Sequence, residues 1–170
     1  AATTAKPRPG AQIEIQEQVG FTITESVNVN DSVRQDYERA VLLLEQGQTK
    51  QGLVILEEVV ERAPDVSGPR IDLGIAWHRK GDLEIAEQHL RKALELNPDH
   101  PVVHNELGII YRKTGRFAEA KRSYEAALEK FLRVVELDPR HQGAHRYVAW
   151  TQENLGNREA QLDAARRLCD

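Results

Sequence analysis

Histidines are the residues whose type and spacing most readily suggest chemistry in this chain. His100 and His104 are separated by three residues, and so are His141 and His145. Inside a helix this spacing would place two imidazoles on one face, where they could bind a metal ion. However, each pair lies beside a proline, so neither lies wholly inside a helix. Both pairs also fall at equivalent points of a sequence repeat, which explains their recurrence, and we predict no metal site.

Other reactive groups are not arranged for catalysis. Cys169 is the only cysteine and lies next to the C-terminus without a neighbouring base. No glycine-rich phosphate-binding loop follows a strand pattern. The acidic side chains mostly stand beside Lys or Arg on helical patterns, as on a solvated surface. We therefore predict no catalytic residue, no cofactor and no enzymatic activity.

Composition excludes two classes of partner. The 170 residues are 40% hydrophobic and only 5% aromatic, with a net charge of −4. No run of basic residues is long enough to indicate nucleic-acid binding. No segment approaches the roughly 20 apolar residues that a membrane span requires. The composition favours a thin helical array over a deep globular core.

A repeat of 34 residues organises most of the chain. The copies are predicted over 33–66, 67–100, 101–141 and 142–170. Small and large residues alternate at fixed spacing; the second copy has Leu73, Gly74, Trp77, Gly81, Ala86, Leu90, Ala93 and Pro98, and the third repeats this from Leu107 to Ala127. Each copy would form two amphipathic helices, which predicts an all-α solenoid of helix pairs over 31–170.

This pattern resembles the tetratricopeptide repeat family, closely over 33–141 and loosely over 142–170. The resemblance implies a superhelix whose concave groove binds peptides or other proteins and is lined by the first helix of each repeat. It places the following residues toward the groove: Tyr37, Val41, Ile71, Ile75, His78, Asn105, Ile109, Arg112, Arg146 and Trp150, with Arg79 and Lys113 at its edge. The carboxylate clamp of some members is not reproduced, and a generic amphipathic surface is the alternative.

The third and fourth repeats depart from the pattern. The Leu-Asp-Pro that should close the third repeat arrives at 137–139, seven residues late. Seven residues are nearly two helical turns, so the second helix is predicted to continue from about Phe117 to Leu137. The last repeat is predicted as helices over about 142–155 and 158–168. Because Gln152 and Gln161 replace the expected Tyr and Ala, this pair is either a divergent cap or packs on something else.

Residues 1–30 differ from the repeats and are predicted to form an extended arm. Apolar side chains occupy odd positions in an alternation broken only by Glu17 and Glu25: Ile13, Ile15, Val19, Phe21, Ile23, Val27 and Val29. This alternation predicts β-structure over 12–30. It passes through Gly20 without a change of phase, which favours one long or bent strand over a tight hairpin. Helices then begin at Asp31, where Ser32 and Gln35 form a predicted capping box.

A strand needs an edge with which to pair, and the rest of the chain is predicted to be helical. The arm would therefore pair with its own groove, another copy's arm or another copy's groove. The first hypothesis is a structural protein that self-associates through the arm into an oligomer or extracellular filament. The alternative is a cell-envelope adaptor that binds a peptide or protein in its groove, for example in pilus or secretion assembly. A helper subunit of an enzyme complex is a third possibility.

The N-terminal sequence suggests where the protein acts. It begins Ala-Ala-Thr-Thr-Ala and the chain contains no methionine. Such a start fits a chain from which a signal peptide has been removed; removal of the initiator methionine from a cytosolic protein is the alternative. We therefore expect an exported protein, located in the periplasm, at the cell surface or outside the cell.

Overall fold

The computed structural model describes residues 12–16, 20–24 and 30–167, with side-chain surroundings given for 30–156. Within these ranges two short strands precede seven helices. They are β1 (Gln12–Gln16), β2 (Gly20–Thr24), α1 (Asp31–Glu45), α2 (Thr49–Arg62), α3 (Ser67–Lys80), α4 (Leu83–Leu96), α5 (Pro101–Lys113), α6 (Phe117–Leu137) and α7 (Gln142–Arg167). The predicted helical solenoid is confirmed.

Glycines form the turns inside the first three helix pairs. Gly47, Gly81 and Gly115 have φ angles of 77°, 97° and 75°. This left-handed conformation costs a residue with a Cβ about 1–2 kcal/mol, which explains why glycine recurs here at intervals of 34 residues. The chain can therefore reverse within two or three residues and pack the second helix against the first.

Close packing between the paired helices depends on two further glycines. A Cβ added to Gly74 would lie 2.5 Å from Leu90 Cγ, and one added to Gly108 would lie 2.6 Å from Tyr124 Cδ1. Leu90 and Tyr124 are both fully buried. The small residue on the first helix thus receives the large residue of the second, as the sequence pattern predicts.

The long second helix of the third repeat is also confirmed. α6 spans 21 residues, whereas α4 spans 14. Its added turns contribute Phe131, which is fully buried and stacks on Tyr147 of α7 with 4.6 Å between ring centroids. The extension therefore holds α7 against the array.

The prediction of two helices in the last repeat is wrong. α7 is one helix of 26 residues, from Gln142 to Arg167. Gly156 occupies the turn position but does not adopt the positive φ of the other turn glycines. Ala165 stands where Leu90 and Tyr124 stand in the earlier repeats. Folding back would therefore bury little apolar surface, and the helix-forming residues after Gly156 continue the helix.

The prediction of one uninterrupted N-terminal strand is also wrong. β1 and β2 pair antiparallel, with Ile13 opposite Ile23 and Ile15 opposite Phe21. Local pairing satisfies backbone N–H and C=O groups that a lone strand would leave without partners. Val19, Val27 and Val29 lie outside the described residues, and the division into an arm and a repeat domain stays a prediction.

The start of α1 corrects a smaller prediction. Asn30, not Ser32, is the N-cap residue, and its Oδ1 accepts a hydrogen bond of 3.1 Å from the Ser32 N–H. The Ser32 hydroxyl instead accepts a bond of 2.6 Å from Arg62 of α2. Asparagine caps helices as well as serine does, so the helix begins at the residue after Asn30.

Candidate functional site

Hydrogen bonds link the first helices of consecutive repeats. We call the surface formed by these side chains of α1, α3, α5 and α7 the first-helix face. The Tyr37 hydroxyl of α1 donates to Asp72 Oδ2 of α3 at 2.6 Å. His78 Nδ1 of α3 lies 2.9 Å from Glu106 Oε2 of α5. Tyr37 and His78 both belong to the predicted groove, and each bonds to a residue of the next repeat.

His78 is held between an acid and a base of α5. Besides its bond to Glu106, its Nε2 lies 2.8 Å from Lys113 Nζ. A lysine ammonium can only donate, so His78 Nε2 accepts and the Nδ1–H donates to Glu106. This arrangement holds the imidazole between two side chains of α5 and places the Lys113 Nζ on the first-helix face.

Asp72 is the carboxyl group with the most perturbed surroundings on this face. Burial raises its pKa to about 6, although the Tyr37 hydrogen bond and the charge of Arg79 oppose the rise. Burial, followed by the charge of Asp72, also raises the pKa of Tyr37. Tyr37 therefore stays a hydrogen-bond donor, and Asp72 gains its charge near neutral pH.

Exposed cations surround these hydrogen-bonded groups. Arg79, Arg112, Lys113 and Arg146 are all exposed. Among the described residues, the ion pairs do not include Arg79, Arg112 or Arg146. On α3, α5 and the start of α7, the first-helix face therefore has more exposed cations than exposed acids, although the whole chain has a net charge of −4.

Tyr147 shows that these charges lie close together. Burial raises its pKa, and the charges of Glu106, Arg146 and Arg79 all act on it. These three side chains come from α5, α7 and α3 respectively. Charges from three successive first helices thus act on one tyrosine.

Apolar side chains between the cations are only partly covered. Ile75, Ile109 and Trp150 are half-buried and pack on the core. The Trp150 ring meets Tyr124 edge to face, with 5.9 Å between centroids. Val41 is half-buried as well. An extended polypeptide could bury the exposed parts of these side chains while its own charges meet the arginines.

Two predicted groove residues are packed inside the array instead. Ile71 is 6% exposed and Asn105 is 2% exposed. The Asn105 Oδ1 is buried without a hydrogen-bond partner among the described residues. Ile71 belongs to the core cluster that α4 and α5 complete, so it stabilises the stacking of repeats.

Sequence reasoning missed Asp72, Glu106 and Tyr147. These residues share one repeat position, immediately after the predicted groove residues Ile71, Asn105 and Arg146. Two acids exactly one repeat apart were a signal that could have identified the position. Their partners on the neighbouring helix could not be read from the pattern, because the pairing depends on how the repeats stack.

The paired histidines have equivalent structural roles. His104 Nε2 lies 2.8 Å from the Pro98 carbonyl oxygen, and His145 Nε2 lies 2.9 Å from that of Pro139. The shared geometry agrees with the explanation that repetition causes the recurrence. In the part of the chain that the structure describes, no three metal-binding side chains are grouped together.

Comparison with known proteins identifies the repeat. Models described as "Tetratricopeptide repeat" match residues 70–133 in one case and 37–101 and 105–170 in another. The anaphase-promoting complex subunit CDC16 of Saccharomyces cerevisiae is 30% identical over 118 residues, which cover 69% of this chain and 13% of that protein. The chain thus spans a small part of this relative's length.

Solved structures share the arrangement of helices. The type III secretion translocator chaperone SycD of Yersinia enterocolitica superposes with a TM-score of 0.71 at 14% identity, over 80% of this chain and 90% of that one. PcrH, in complex with the chaperone-binding region of PopD, gives a TM-score of 0.69 at 14% identity, over 81% and 98%. At these identities the likeness shows the fold alone. Among the described residues no helix combines the length and apolar character needed to cross a bilayer.

Proposed function

This chain belongs to the tetratricopeptide repeat family, whose fold is a scaffold for protein interaction, and we propose that it is a non-enzymatic adaptor. It binds an extended segment of another protein along the first-helix face. The segment carries acidic side chains interspersed with apolar ones. The segment is specified by this chemistry alone.

The charge of the first-helix face carries the proposal. Arg79, Arg112 and Arg146 are exposed and outside the ion pairs of the described residues. The two acids nearby, Asp72 and Glu106, already have partners in Tyr37 and His78. Four exposed cations, Arg79, Arg112, Lys113 and Arg146, outnumber these two acids, so complementary acidic side chains on a bound segment would favour its binding and orient it.

The hydrogen-bonded pairs give the face its rigidity. Because Tyr37 joins α1 to α3 and His78 joins α3 to α5, the cations are presented at fixed spacing. A pre-organised surface loses less entropy when it binds a flexible segment. Half-buried Trp150 and Ile109 then supply the apolar contact that charge alone does not.

The structural relatives support an adaptor that holds a segment of a partner. PcrH is seen with a region of PopD, and SycD is described as a translocator chaperone. These roles belong to those proteins. They make the cell-envelope adaptor the favoured hypothesis for this chain, and export stays part of the proposal.

Selection from a displayed library of random peptides tests this function. We expect the unmodified chain to enrich peptides that combine Asp or Glu with apolar residues. Arg79→Glu with Arg146→Glu should weaken those peptides at least tenfold and enrich basic ones instead. The matched control is Arg133→Glu, because Arg133 is an exposed arginine of α6 that pairs with Glu136. Enrichment that ignores charge, or equal loss with the control variant, would refute the proposal.

Self-association through the N-terminal arm is a second candidate function. The described sheet contains only β1 and β2, so its outer edges can accept a strand from another copy. Deleting residues 1–29 and measuring the mass by light scattering tests this. A deletion that leaves the number of copies per particle unchanged would exclude the arm as the contact.

A further inference from the structure

α3 carries an ionisable side chain at a contact with each neighbouring first helix. Asp72 accepts a hydrogen bond of 2.6 Å from the Tyr37 hydroxyl of α1. His78 lies on the same helix, with its Nδ1 2.9 Å from Glu106 Oε2 of α5. Both contacts therefore include a group that can gain or lose a proton.

The contact between His78 and Lys113 depends on the protonation of the imidazole. His78 Nε2 lies 2.8 Å from Lys113 Nζ, and an ammonium group only donates, so this contact requires an Nε2 without a proton. Histidine is the side chain that ordinarily takes up a proton between pH 5 and 8. When His78 does so, two donors and two positive charges face each other. Lys113 is exposed and can turn toward solvent, while the protonated imidazole keeps its bond to Glu106.

The charge of Asp72 can change without loss of its contact. Its hydrogen-bond partner, the Tyr37 hydroxyl, is neutral and can donate to a carboxyl oxygen in either protonation state. Burial raises the pKa of Asp72 to about 6, against the effects of the Tyr37 bond and the Arg79 charge. Protonation of Asp72 therefore removes a negative charge that acts on Arg79 and leaves the link between α1 and α3 in place.

The other charged groups on the helices around α3 are cations, have partners or are exposed. Arg79 of α3, Lys113 of α5 and Arg146 of α7 are of residue types that keep their positive charge between pH 5 and 8. The acids on these helices include Asp36 and Glu38 of α1, of which Asp36 bonds to Arg62 of α2 and Glu38 is exposed, Glu87 of α4, which bonds to Arg116, and Glu106 of α5, which bonds to His78. Each proton taken up by Asp72 or His78 makes the first-helix face more positive by one unit.

We propose that the first-helix face is a pH-sensitive binding surface, on which protonation of Asp72 and His78 between pH 8 and pH 5 strengthens the binding of an acidic segment. The inference rests on the proposed adaptor function and adds its regulation. Asp72 loses a negative charge and His78 gains a positive one. Both changes occur on the helix that carries Arg79, so a segment of complementary charge binds more tightly as the pH falls.

Binding and protonation must affect each other equally, because they are linked equilibria. An acidic segment on the face should therefore favour the protonated forms of Asp72 and His78, and complex formation near pH 6.5 should take up protons. Titration calorimetry in two buffers with different ionisation enthalpies measures this uptake. We expect uptake with the unmodified chain and none with the variant that combines Asp72→Asn and His78→Gln.

The affinity of one defined peptide at two pH values tests the proposal. The probe is a rhodamine-labelled peptide in which Asp and Leu alternate. We expect it to bind the unmodified chain about tenfold more tightly at pH 5 than at pH 8, because each added surface charge should contribute roughly threefold. Aspartate in the peptide can only lose charge as the pH falls, so its own titration cannot cause the gain.

Substitutions that remove each titration should divide this gain. Asp72→Asn is uncharged at both pH values, and His78→Gln can form the hydrogen bonds of a neutral imidazole but cannot gain a proton. Each variant should retain a gain of about threefold, and the double variant should show none. The matched controls are His89→Gln on α4 and Asp99→Asn before α5. They change a histidine and an aspartate outside the first-helix face and should keep the full gain.

The outcomes separate this inference from the adaptor function. Equal affinity at pH 5 and pH 8, or a double variant that keeps the full gain, would overturn the pH-sensitive surface and leave the adaptor in place. A peptide that binds at neither pH would overturn both. Replacing Asp by Lys in the peptide should reverse the pH dependence. A Lys peptide that also binds more tightly at pH 5 would show that the gain is not electrostatic, which would overturn the proposal as well.

Discussion

The third repeat and α7 share a sequence pattern but pack differently. A Cβ on Gly108 would lie 2.6 Å from the Tyr124 ring, whereas Ala149, at the same repeat position, is exposed. The difference arises from the opposing helix: Tyr124 fills the space above Gly108, while the residues after Gly156 continue away from Ala149. A repeat position thus defines where a partner helix can pack, and burial follows only when that helix is present.

Truncating one large side chain in the third repeat and one in α7 should give the largest difference in the free energy of unfolding. Leu107→Ala should destabilise the protein by roughly 2–5 kcal/mol, because Leu107 is 2% exposed in a packed core. Val148→Ala removes a half-buried side chain from the same repeat position and should cost no more than about 1 kcal/mol. Denaturant unfolding of dilute protein measures both. Equal losses would mean that α7 is packed as the earlier repeats are.

Enlarging a small side chain should also destabilise the third repeat more than α7. Gly108→Val forces atoms toward the buried Tyr124 ring and should destabilise by about 1–3 kcal/mol. Ala149→Val changes an exposed position, where only helix propensity matters, and should cost less than about 0.7 kcal/mol. The comparison requires protein dilute enough that copies do not associate. A large loss for Ala149→Val under those conditions would place another element over α7.

These differences show what the sequence could predict about the fold. The late Leu137-Asp138-Pro139 correctly indicated a long α6, because a seven-residue insertion keeps the helical phase. Gly156 was misleading, since a glycine permits a turn without requiring one. Whether the turn forms depends on the packing that residues such as Ala165 provide, and spacing does not report that energy. The N-terminal alternation similarly indicated β-structure but not its pairing.

The first-helix face was predictable to a similar degree. Periodicity predicted that His78 and Arg79 face the groove. The structure bonds His78 to Glu106 of the next repeat, and the role of both residues in a groove stays a prediction. Periodicity did not reveal the bond of Tyr37 to Asp72, because side chains 35 residues apart meet only through repeat stacking. Burial of Asn105 followed from the same stacking.

Asp72 should make the free energy of unfolding of the repeat array depend on pH. Its pKa is raised to about 6 from the usual 3.8, mainly by burial. The folded protein therefore binds this proton more tightly than the unfolded chain does. The stabilising contribution is complete below about pH 4 and is lost as pH rises through 6. Relative to Asp72→Asn, the loss should be on the order of 3 kcal/mol.

Denaturant melts at pH 4, 5, 6 and 7 measure this contribution as the difference between the unmodified protein and the Asp72→Asn variant. Other carboxyl groups affect both proteins equally and cancel. Asp99→Asn is a useful control because the hydrogen bond from Lys130 lowers the pKa of Asp99, which gives a pH dependence of opposite sign. A pH-independent difference for Asp72→Asn would show that Asp72 keeps its ordinary pKa.

Glycine-to-alanine substitutions at the two turn positions, Gly115 and Gly156, should change stability in opposite directions. Nothing lies within 4 Å of a Cβ placed on Gly115 or on Gly156, so only backbone conformation decides the outcome. Gly115 has a φ of 75°, and Gly115→Ala should destabilise by about 1–2 kcal/mol. Gly156 lies inside α7, where alanine is favoured over glycine by about 1 kcal/mol. Gly156→Ala should therefore slow amide hydrogen exchange after residue 156 about fivefold. Faster exchange, or a loss of stability like that of Gly115→Ala, would mean that Gly156 forms a turn and that the last repeat closes on itself.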